Sequence, residues 1–183
     1  MELKKGTHRI VFIFPRFGFV IKLPRFYIWF AIKGFFKFIY YRDWKFLKKW
    51  LKYDVVVLGG FKNQVYKGIH DNWQEYKFYS ITKNVFLQPT HFSLYGLVNI
   101  QSYGESKKTP FDTLLQYFMV LTDGDVFDDN HHFANYRNFC FEDGKIKITD
   151  YGSKRTQAVI EKWGERIVTE FQLEKVKEKE ETA

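Results

Sequence analysis

A short hairpin in the last third of the chain carries an amide and a carboxylate at its two open ends. The stretch NYRNFCFEDGKIKITDYG, residues 135–152, places Asn138 before the first predicted strand and Asp150 after the second. Apolar and polar residues alternate on both strands, and the turn falls at Asp143-Gly144, a pair typical of tight hairpins. Carboxamide and carboxylate oxygens are hard donors, which Mg²⁺ accepts. These two side chains are the first candidates for chemistry.

The hairpin resembles the catalytic segment of protein kinases. In that family a loop ending in Asn leads through a strand, a turn and a strand to Asp-Phe-Gly, and here Asn138 leads through FCFEDGKIKIT to Asp150-Tyr151-Gly152. The resemblance implies that Asn138 and Asp150 bind Mg²⁺, which neutralises the phosphates of a bound ATP. Tyr151 in place of Phe is a mild departure from the motif.

Two upstream residues stand in the order that this resemblance requires. FVIKLP resembles the strand with the phosphate-anchoring lysine, which implies Lys22, and NWQEYKFY supplies Glu75, which would pair with that lysine and direct it to the α- and β-phosphates. The resemblance spans roughly residues 8–165, with a hinge at 105–110. A structural interpretation of both residues stays open, because a strand lysine often extends to solvent from a sheet edge.

Several departures from the family weaken the expectation of activity. Phe133 stands where the kinase catalytic loop has its base, five residues before Asn138, and a benzyl side chain cannot accept a proton. A positioned base contributes about 10²- to 10⁴-fold in rate, so its loss predicts a pseudokinase or a slow phosphotransferase. Asp128 or Asp129 is an alternative source of a carboxylate. Gly6 alone precedes the first predicted strand, so the glycine loop that covers phosphates is short or missing.

The sequence predicts an α+β fold, and the resemblance implies a protein-kinase-like, two-lobed version of it. The first lobe would span 1–104, with an antiparallel sheet and a helical, basic and aromatic insertion at about 26–60. The second lobe, 105–183, would be an abbreviated helical one. The first predicted elements are hairpin strands at 8–15 and 17–24 and a basic amphipathic helix within 42–53. A helix at 70–84 is expected to start with a capping box at Asp71, and strands within 91–104 are expected to break near Gly96. A helix at 111–121 follows, and a last helix from Arg155 should run into a charged tail, 173–183, that frays.

The positive charge of the chain is concentrated in its first third. Residues 1–53 hold 13 Lys and Arg against 2 Asp and Glu, or +11, and the remaining residues hold 16 against 19, or −3. For the insertion at 26–60 we considered internal packing, a protein partner, an anionic membrane surface and single-stranded nucleic acid, the last two being less favoured. An alternative function follows, in which a non-enzymatic structural or assembly protein uses a kinase-like scaffold and this insertion to bind a partner.

Composition limits the remaining classes of function. A chain with 45% hydrophobic and 21% aromatic residues has enough apolar surface to fold. The single cysteine, Cys140, excludes an internal disulfide and a cysteine zinc cluster, and it alternates with aromatic residues as a packed residue would. We expect a cytoplasmic protein, found in a host cell or virion if the compact, Phe-rich motif is viral. DDNHH, residues 128–132, has the residue types of a metal site, although a solvated loop is the simpler interpretation.

Overall fold

A computed structural model of the chain describes residues 1–107 and 111–171, without the side chains of 111–113. The fold class is α+β, with an antiparallel five-stranded sheet, a separate two-stranded hairpin and six helices in the described ranges. The strands are β1 (Glu2–Lys5), β2 (Arg9–Phe14), β3 (Phe19–Pro24), β4 (Thr90–Ser93), β5 (Asn99–Ser102), β6 (Phe139–Glu142) and β7 (Lys145–Ile148). The helices are α1 (Ile28–Tyr40), α2 (Trp44–Lys52), α3 (Phe61–Thr82), α4 (Phe111–Leu121), α5 (Asn130–Phe133) and α6 (Lys154–Glu170).

The hairpin predicted at the start of the chain is confirmed, since β2 and β3 pair from Arg9 opposite Pro24 to Phe14 opposite Phe19. A 3₁₀ turn at Pro15–Phe17 joins them, and Gly18 ends that turn in the left-handed region. The sheet has the strand order β1-β2-β3-β5-β4, so β3 lies at its centre. The predicted break near Gly96 is also confirmed, because a turn there separates β4 from β5.

The segment predicted as a helical insertion, about 26–60, forms α1 and α2 and the turns that lead into α3. Asp43 caps α2 by accepting a hydrogen bond from the backbone N–H of Phe46, a common helix start. The prediction that the next helix begins at Asp71 is wrong, because α3 begins at Phe61 and Asp71 lies in its middle. There the Asp71 carboxylate pairs with Lys67, one turn earlier, at 2.5 Å. The capping-box pattern of Asp71 and Gln74 therefore lies inside a long helix, where the aspartate forms an ion pair and caps nothing.

The main hydrophobic core is formed by residues from the end of α3 onward. Its buried members come from the end of α3, the segment after it, helices α4 to α6 and the hairpin β6–β7: Phe78, Phe86, Leu87, Leu114, Phe118, Leu121, Val126, Phe133, Phe139, Ile146, Ile148, Tyr151, Val159, Ile160 and Ile167. Cys140 packs beside this core, with its thiol 3.3 Å from the side-chain oxygen of Gln88, as its alternation with aromatic residues predicts. Residues 108–110 of the expected hinge and the charged tail at 173–183 lie outside the described residues.

Backbone contacts attach the β6–β7 hairpin to the segment that follows α3. The N–H of Gln88 donates to the carbonyl of Ile148 at 2.9 Å, and the N–H of Ile148 donates to the carbonyl of Phe86 at 2.8 Å. This attachment fixes where the chain leaves β7. It directs Thr149 and Asp150 toward α3 and the central strand of the sheet.

Candidate functional site

Lys22 lies on the central strand β3, and its side chain is buried. Alternate residues of β3 are buried, which puts Lys22 on the face that α3 covers. Its ammonium nitrogen donates to the Glu75 carboxylate at 2.8 Å and to the carbonyl of Thr149 at 2.5 Å. Lys22 therefore joins the sheet, the long helix and the exit of the β6–β7 hairpin. A structural lysine at a sheet edge would instead reach solvent.

Helix α3 brings Glu75 to this lysine because it packs very closely on the sheet. At Gly68 a Cβ atom would overlap the carbonyl of His8 and lie 2.8 Å from the Cβ of Pro24, so glycine permits the approach. One turn further on, the amide of Asn72 donates to the carbonyls of Lys22 at 3.3 Å and Gly96 at 3.0 Å. These contacts fix the rotation of α3 so that the Glu75 carboxylate is fully buried against β3.

Asp150 follows the second strand of the hairpin, and Asn138 precedes the first. The backbone joins these two ends, since Thr149 donates both its N–H, at 2.7 Å, and its hydroxyl, at 3.1 Å, to the carbonyl of Asn138. The amide nitrogen of Asn138 donates to the carbonyl of His132 at 3.0 Å, which orients the side chain. Its amide oxygen is then the atom that can bind a cation.

Arg9 links the two carboxylates of the site, and sequence reasoning missed it. One guanidinium nitrogen pairs with Glu75, and the other lies 2.5 Å from the Asp150 carboxylate. Arg9 is the first residue of β2, opposite Pro24, and is therefore adjacent to Lys22's strand. An arginine at the start of the apolar run HRIVFIFP was the available signal. The motifs of the kinase resemblance include no arginine at this position.

The charges in this network alternate, and burial makes them interact strongly. Burial lowers the pKa of Lys22, and nearby Arg9 lowers it further, while Glu75 and Asp150 oppose both effects. Burial alone would raise the pKa of Asp150, but Arg9, His132 and Lys22 together hold it well below its usual range. Asp150 is thus a carboxylate, and its side chain keeps 32% of its surface exposed. It is the point at which the network reaches solvent.

The loop before Asn138 does not place Phe133 in the site. Phe133 ends the short helix α5 and is fully buried, with its ring 5.5 Å from that of Phe118 and 6.2 Å from that of Phe139. Of the alternative carboxylates, Asp128 is exposed. Asp129 is buried and binds the hydroxyl of Thr156 at 2.5 Å. Phe133 therefore supplies no base, and the carboxylate of Asp129 is already bound to Thr156.

His132 is the more buried of the two histidines in this loop, and it interacts with the charge of Asp150. Its Nδ1 lies 2.8 Å from the Asp129 carboxylate. Burial lowers the pKa of His132, but the bond to Asp129 and the charge of Asp150 outweigh burial and raise it. His131 lies beside it, and the candidate ligand atoms of Asp129, His131 and His132 are within 4.8 Å of one another. The segment expected as a solvated loop is instead a helical turn around a buried aspartate.

A concave groove lies elsewhere, on α3. It has a volume of about 450 Å³ and is lined by Val55, Lys62, Tyr66, Ile69, His70, Trp73 and Tyr95. This groove lies on the side of α3 that faces away from Glu75, so it does not include the ion-pair network. Access to Lys22 is limited in this structure, because the residue is 5% exposed and its ammonium group is bound by Glu75 and by the carbonyl of Thr149.

Comparisons with protein-family models, curated proteins and solved structures found no significant match to this chain. Within residues 1–107 and 111–171, no helix combines the length and the apolar character needed to cross a bilayer.

Proposed function

We propose that the chain is a reduced, kinase-like protein that binds ATP between the sheet and the β6–β7 hairpin. The observation that supports this proposal is the convergence of four groups from four parts of the sequence. The four groups are the side chains of Arg9, Lys22, Glu75 and Asp150. Lys22 pairs directly with Glu75, and Arg9 connects Glu75 to Asp150. In this proposal the residues before the hinge form one lobe of a two-lobed, protein-kinase-like fold, and the residues after it form an abbreviated second lobe.

Each group has a distinct role in the proposed complex. Lys22 contacts the α- and β-phosphates, and Glu75 holds its ammonium group in place. Asn138 and Asp150 are the residues that would hold Mg²⁺, since one offers an amide oxygen and the other a partly exposed carboxylate. When bound, the ion supplies positive charge that offsets the charge of the phosphates. The donor set fits the ion, provided that Arg9 releases or shares the Asp150 carboxylate.

Arg9 distinguishes this site from one that depends wholly on a metal ion. Its guanidinium places a fixed positive charge beside Asp150, and the adjacent carboxylates raise its pKa despite burial. A phosphate that enters the site meets Arg9 and Lys22 together, which suits a pseudokinase that binds nucleotide. Transfer of the γ-phosphoryl group to an acceptor hydroxyl would be slow, because the hydroxyl proton would pass to water with Phe133 in the core.

A thermal-shift titration tests nucleotide binding. ATP with Mg²⁺ should raise the melting temperature, because a ligand that binds the folded state at about 100 times its Kd stabilises it by about 2.7 kcal/mol. Asp150→Asn should weaken the shift strongly, whereas Lys145→Gln, an exposed lysine on the same hairpin, should leave it unchanged. Displacement of a fluorescent ATP analogue separates lost binding from lost stability. No shift in the wild type at millimolar ATP would contradict the proposal.

A second candidate function is a non-enzymatic structural or assembly protein that keeps a kinase-like scaffold for its shape. Two observations favour it: Arg9 already neutralises the acidic residues of the site, and α1 and α2 expose many large apolar side chains. In that case the insertion, 26–60, binds a partner and the ion pairs stabilise the fold. Absence of nucleotide binding together with intact folding would favour this candidate.

A further inference from the structure

The outer surface of α1 combines large apolar side chains with lysines. Trp29, Ile32, Phe36 and Tyr40 are spaced three or four residues apart and so lie along one side of the helix. Their side chains are exposed, with relative exposures of 63% for Trp29, 63% for Phe36 and 82% for Tyr40. Lys33 and Lys37 are exposed on the same side. These six residues form the aromatic face of α1.

The opposite side of α1 accounts for its packing within the chain. Gly34 lies against the ring of Trp50, where a Cβ atom would be 3.0 Å from Cζ2, and the Phe38 ring is 5.6 Å from the Trp50 ring. Ala31 is the buried residue of α1. Internal packing therefore uses the side toward α2 and α3 and leaves the aromatic face uncovered. A folded chain rarely exposes so much contiguous apolar surface without a binding role.

The apolar exposure is wider than one stripe. Ile28, Phe30 and Phe35 of α1 are exposed outside the aromatic face, and Tyr41 and Trp44 are exposed at the turn into α2. A helix that docks in a protein groove presents a narrow row of anchors at spacings of three, four and seven residues. Lipid headgroups and acyl chains, being fluid, can surround a wider arc. Trp and Tyr are also the residues enriched at the membrane–water interface.

Charge around the aromatic face is almost entirely positive. Residues 26–53 contain seven Lys and Arg and one acidic residue, Asp43, which is used to cap α2. Lys33 extends along the Trp29 ring, with its ammonium nitrogen 5.2 Å from the ring centre. A lysine in that position can keep its stem in the apolar layer and its charge among the headgroups. The exposed lysines of α2 extend the same positive surface.

We propose that the aromatic face binds the surface of an anionic lipid bilayer, with α1 lying in the plane of the interface. A 13-residue helix is too short to cross the hydrocarbon layer, but an apolar face flanked by lysines suits binding within the headgroup region. The face is separate from the Lys22–Asp150 network. The proposal therefore stands or falls independently of nucleotide binding.

Flotation with lipid vesicles tests this proposal. The protein should bind vesicles of phosphatidylcholine and phosphatidylserine, and bind poorly to phosphatidylcholine alone. Binding should fall as salt is raised, because ions screen the attraction between lysines and headgroups. Trp29 and Trp44 should shift tryptophan emission to shorter wavelength as the vesicles are added. Failure to bind the anionic vesicles at low salt would overturn the proposal.

Paired variants separate burial of the apolar side chains in the bilayer from simple electrostatic attraction to its surface. The combined substitutions Trp29→Ser, Phe36→Ser and Tyr40→Ser should weaken binding by about tenfold or more. A matched control with Ile81→Ser, Val120→Ser and Phe127→Ser removes exposed apolar residues from other surfaces and should bind normally. Circular dichroism of both variants checks that the fold is kept. Unchanged binding of the first variant would mean adsorption by net charge and would overturn the proposal.

Two further measurements exclude other occupants of the face. Lys33→Gln with Lys37→Gln should weaken binding more than Lys145→Gln with Lys154→Gln, although both pairs remove two exposed charges. Sedimentation equilibrium of the lipid-free protein should show that the aromatic face does not drive self-association. If the wild type is a dimer and the three serine substitutions make it a monomer, a second copy covers the face and the lipid proposal is wrong.

Discussion

The guanidinium of Arg9 lies 2.5 Å from the carboxylate of Asp150 and, through its other nitrogen, also pairs with Glu75. A single side chain thus connects the buried Lys22–Glu75 pair to the partly exposed aspartate at the end of the hairpin. The two cations and the two carboxylates are linked by successive ion pairs and neutralise one another. Removing any one of them leaves a neighbour in a poorly solvated position.

Arg9 is expected to change how nucleotide binding depends on magnesium. If the proposed function is correct, the wild type should keep part of its thermal shift when ATP is added with EDTA, because Arg9 still supplies positive charge beside Asp150. Arg9→Met should lose that residual shift and recover it with Mg²⁺, since the ion then has the carboxylate to itself. Equal dependence on Mg²⁺ in the two proteins would show that Arg9 does not share this role.

Glu75 is expected to be the most costly member of the network to neutralise. Glu75→Gln removes the partner of two buried or nearly buried cations, Lys22 and Arg9, and should reduce the free energy of unfolding by about 3 kcal/mol or more. Urea denaturation measures this loss. Glu142→Gln removes a partly exposed pair with Lys147 on the hairpin and should cost less than about 1 kcal/mol. Similar losses in the two variants would contradict this account.

The hydroxyl of Tyr151 is expected to contribute to stability. Tyr151 is fully buried; its hydroxyl donates to the carbonyl of Gln88 at 2.8 Å and lies 2.7 Å from the Thr90 hydroxyl. Tyr151→Phe keeps the ring but leaves these groups without that partner, so it should reduce the free energy of unfolding by about 1 kcal/mol. Tyr95→Phe, at an exposed position, is the control and should have no measurable effect. A neutral Tyr151→Phe would mean that its ring alone matters.

Phe133→Asp is expected to disrupt the core, and not to restore a catalytic base. Its ring is fully buried against Phe118 and Phe139, so a carboxylate there would lose apolar contacts and stand without a partner. The free energy of unfolding should fall by about 4 kcal/mol or more. Phe133→Leu, which keeps an apolar side chain, should lose much less in the same urea titration. A folded Phe133→Asp that transfers phosphate from ATP would refute this placement.

His8 is expected to make the fold sensitive to acid. Burial lowers its pKa, an effect that Asp71 and Asp150 oppose and that Lys67 and Arg9 reinforce. Because the folded pKa lies below the ordinary value of 6.5, the folded state resists protonation. Stability is therefore fully present above about pH 6.5 and is lost as pH falls through the folded pKa. Urea titrations at pH 7.5 and pH 5.5 should show a smaller loss for His8→Gln than for the wild type, and an equal loss would contradict this.

Local patterns were enough to predict much of the fold. Alternation and turn residues predicted the β2–β3 and β6–β7 hairpins, because both depend on neighbours in sequence. The start of α3 was predicted wrongly because Asp71, which resembles a cap, is used in a pair with Lys67 inside the helix. The pairing of Lys22 with Glu75 follows only from the kinase resemblance, since no periodicity connects residues so far apart in the chain. The role of Arg9 could not be predicted for the same physical reason. Its partners, Glu75 and Asp150, are distant in sequence, and the residue pattern of β2 does not indicate them.

The position of Cys140 determines how the protein responds to oxidants. Its thiol is buried beside Gln88, and burial raises its pKa to about 12. The thiolate is the form that reacts, and almost none is present at neutral pH. As the chain has one cysteine, a covalent dimer could form only after this part of the core opens. The folded protein should therefore pass through oxidising surroundings without forming disulfide-linked species.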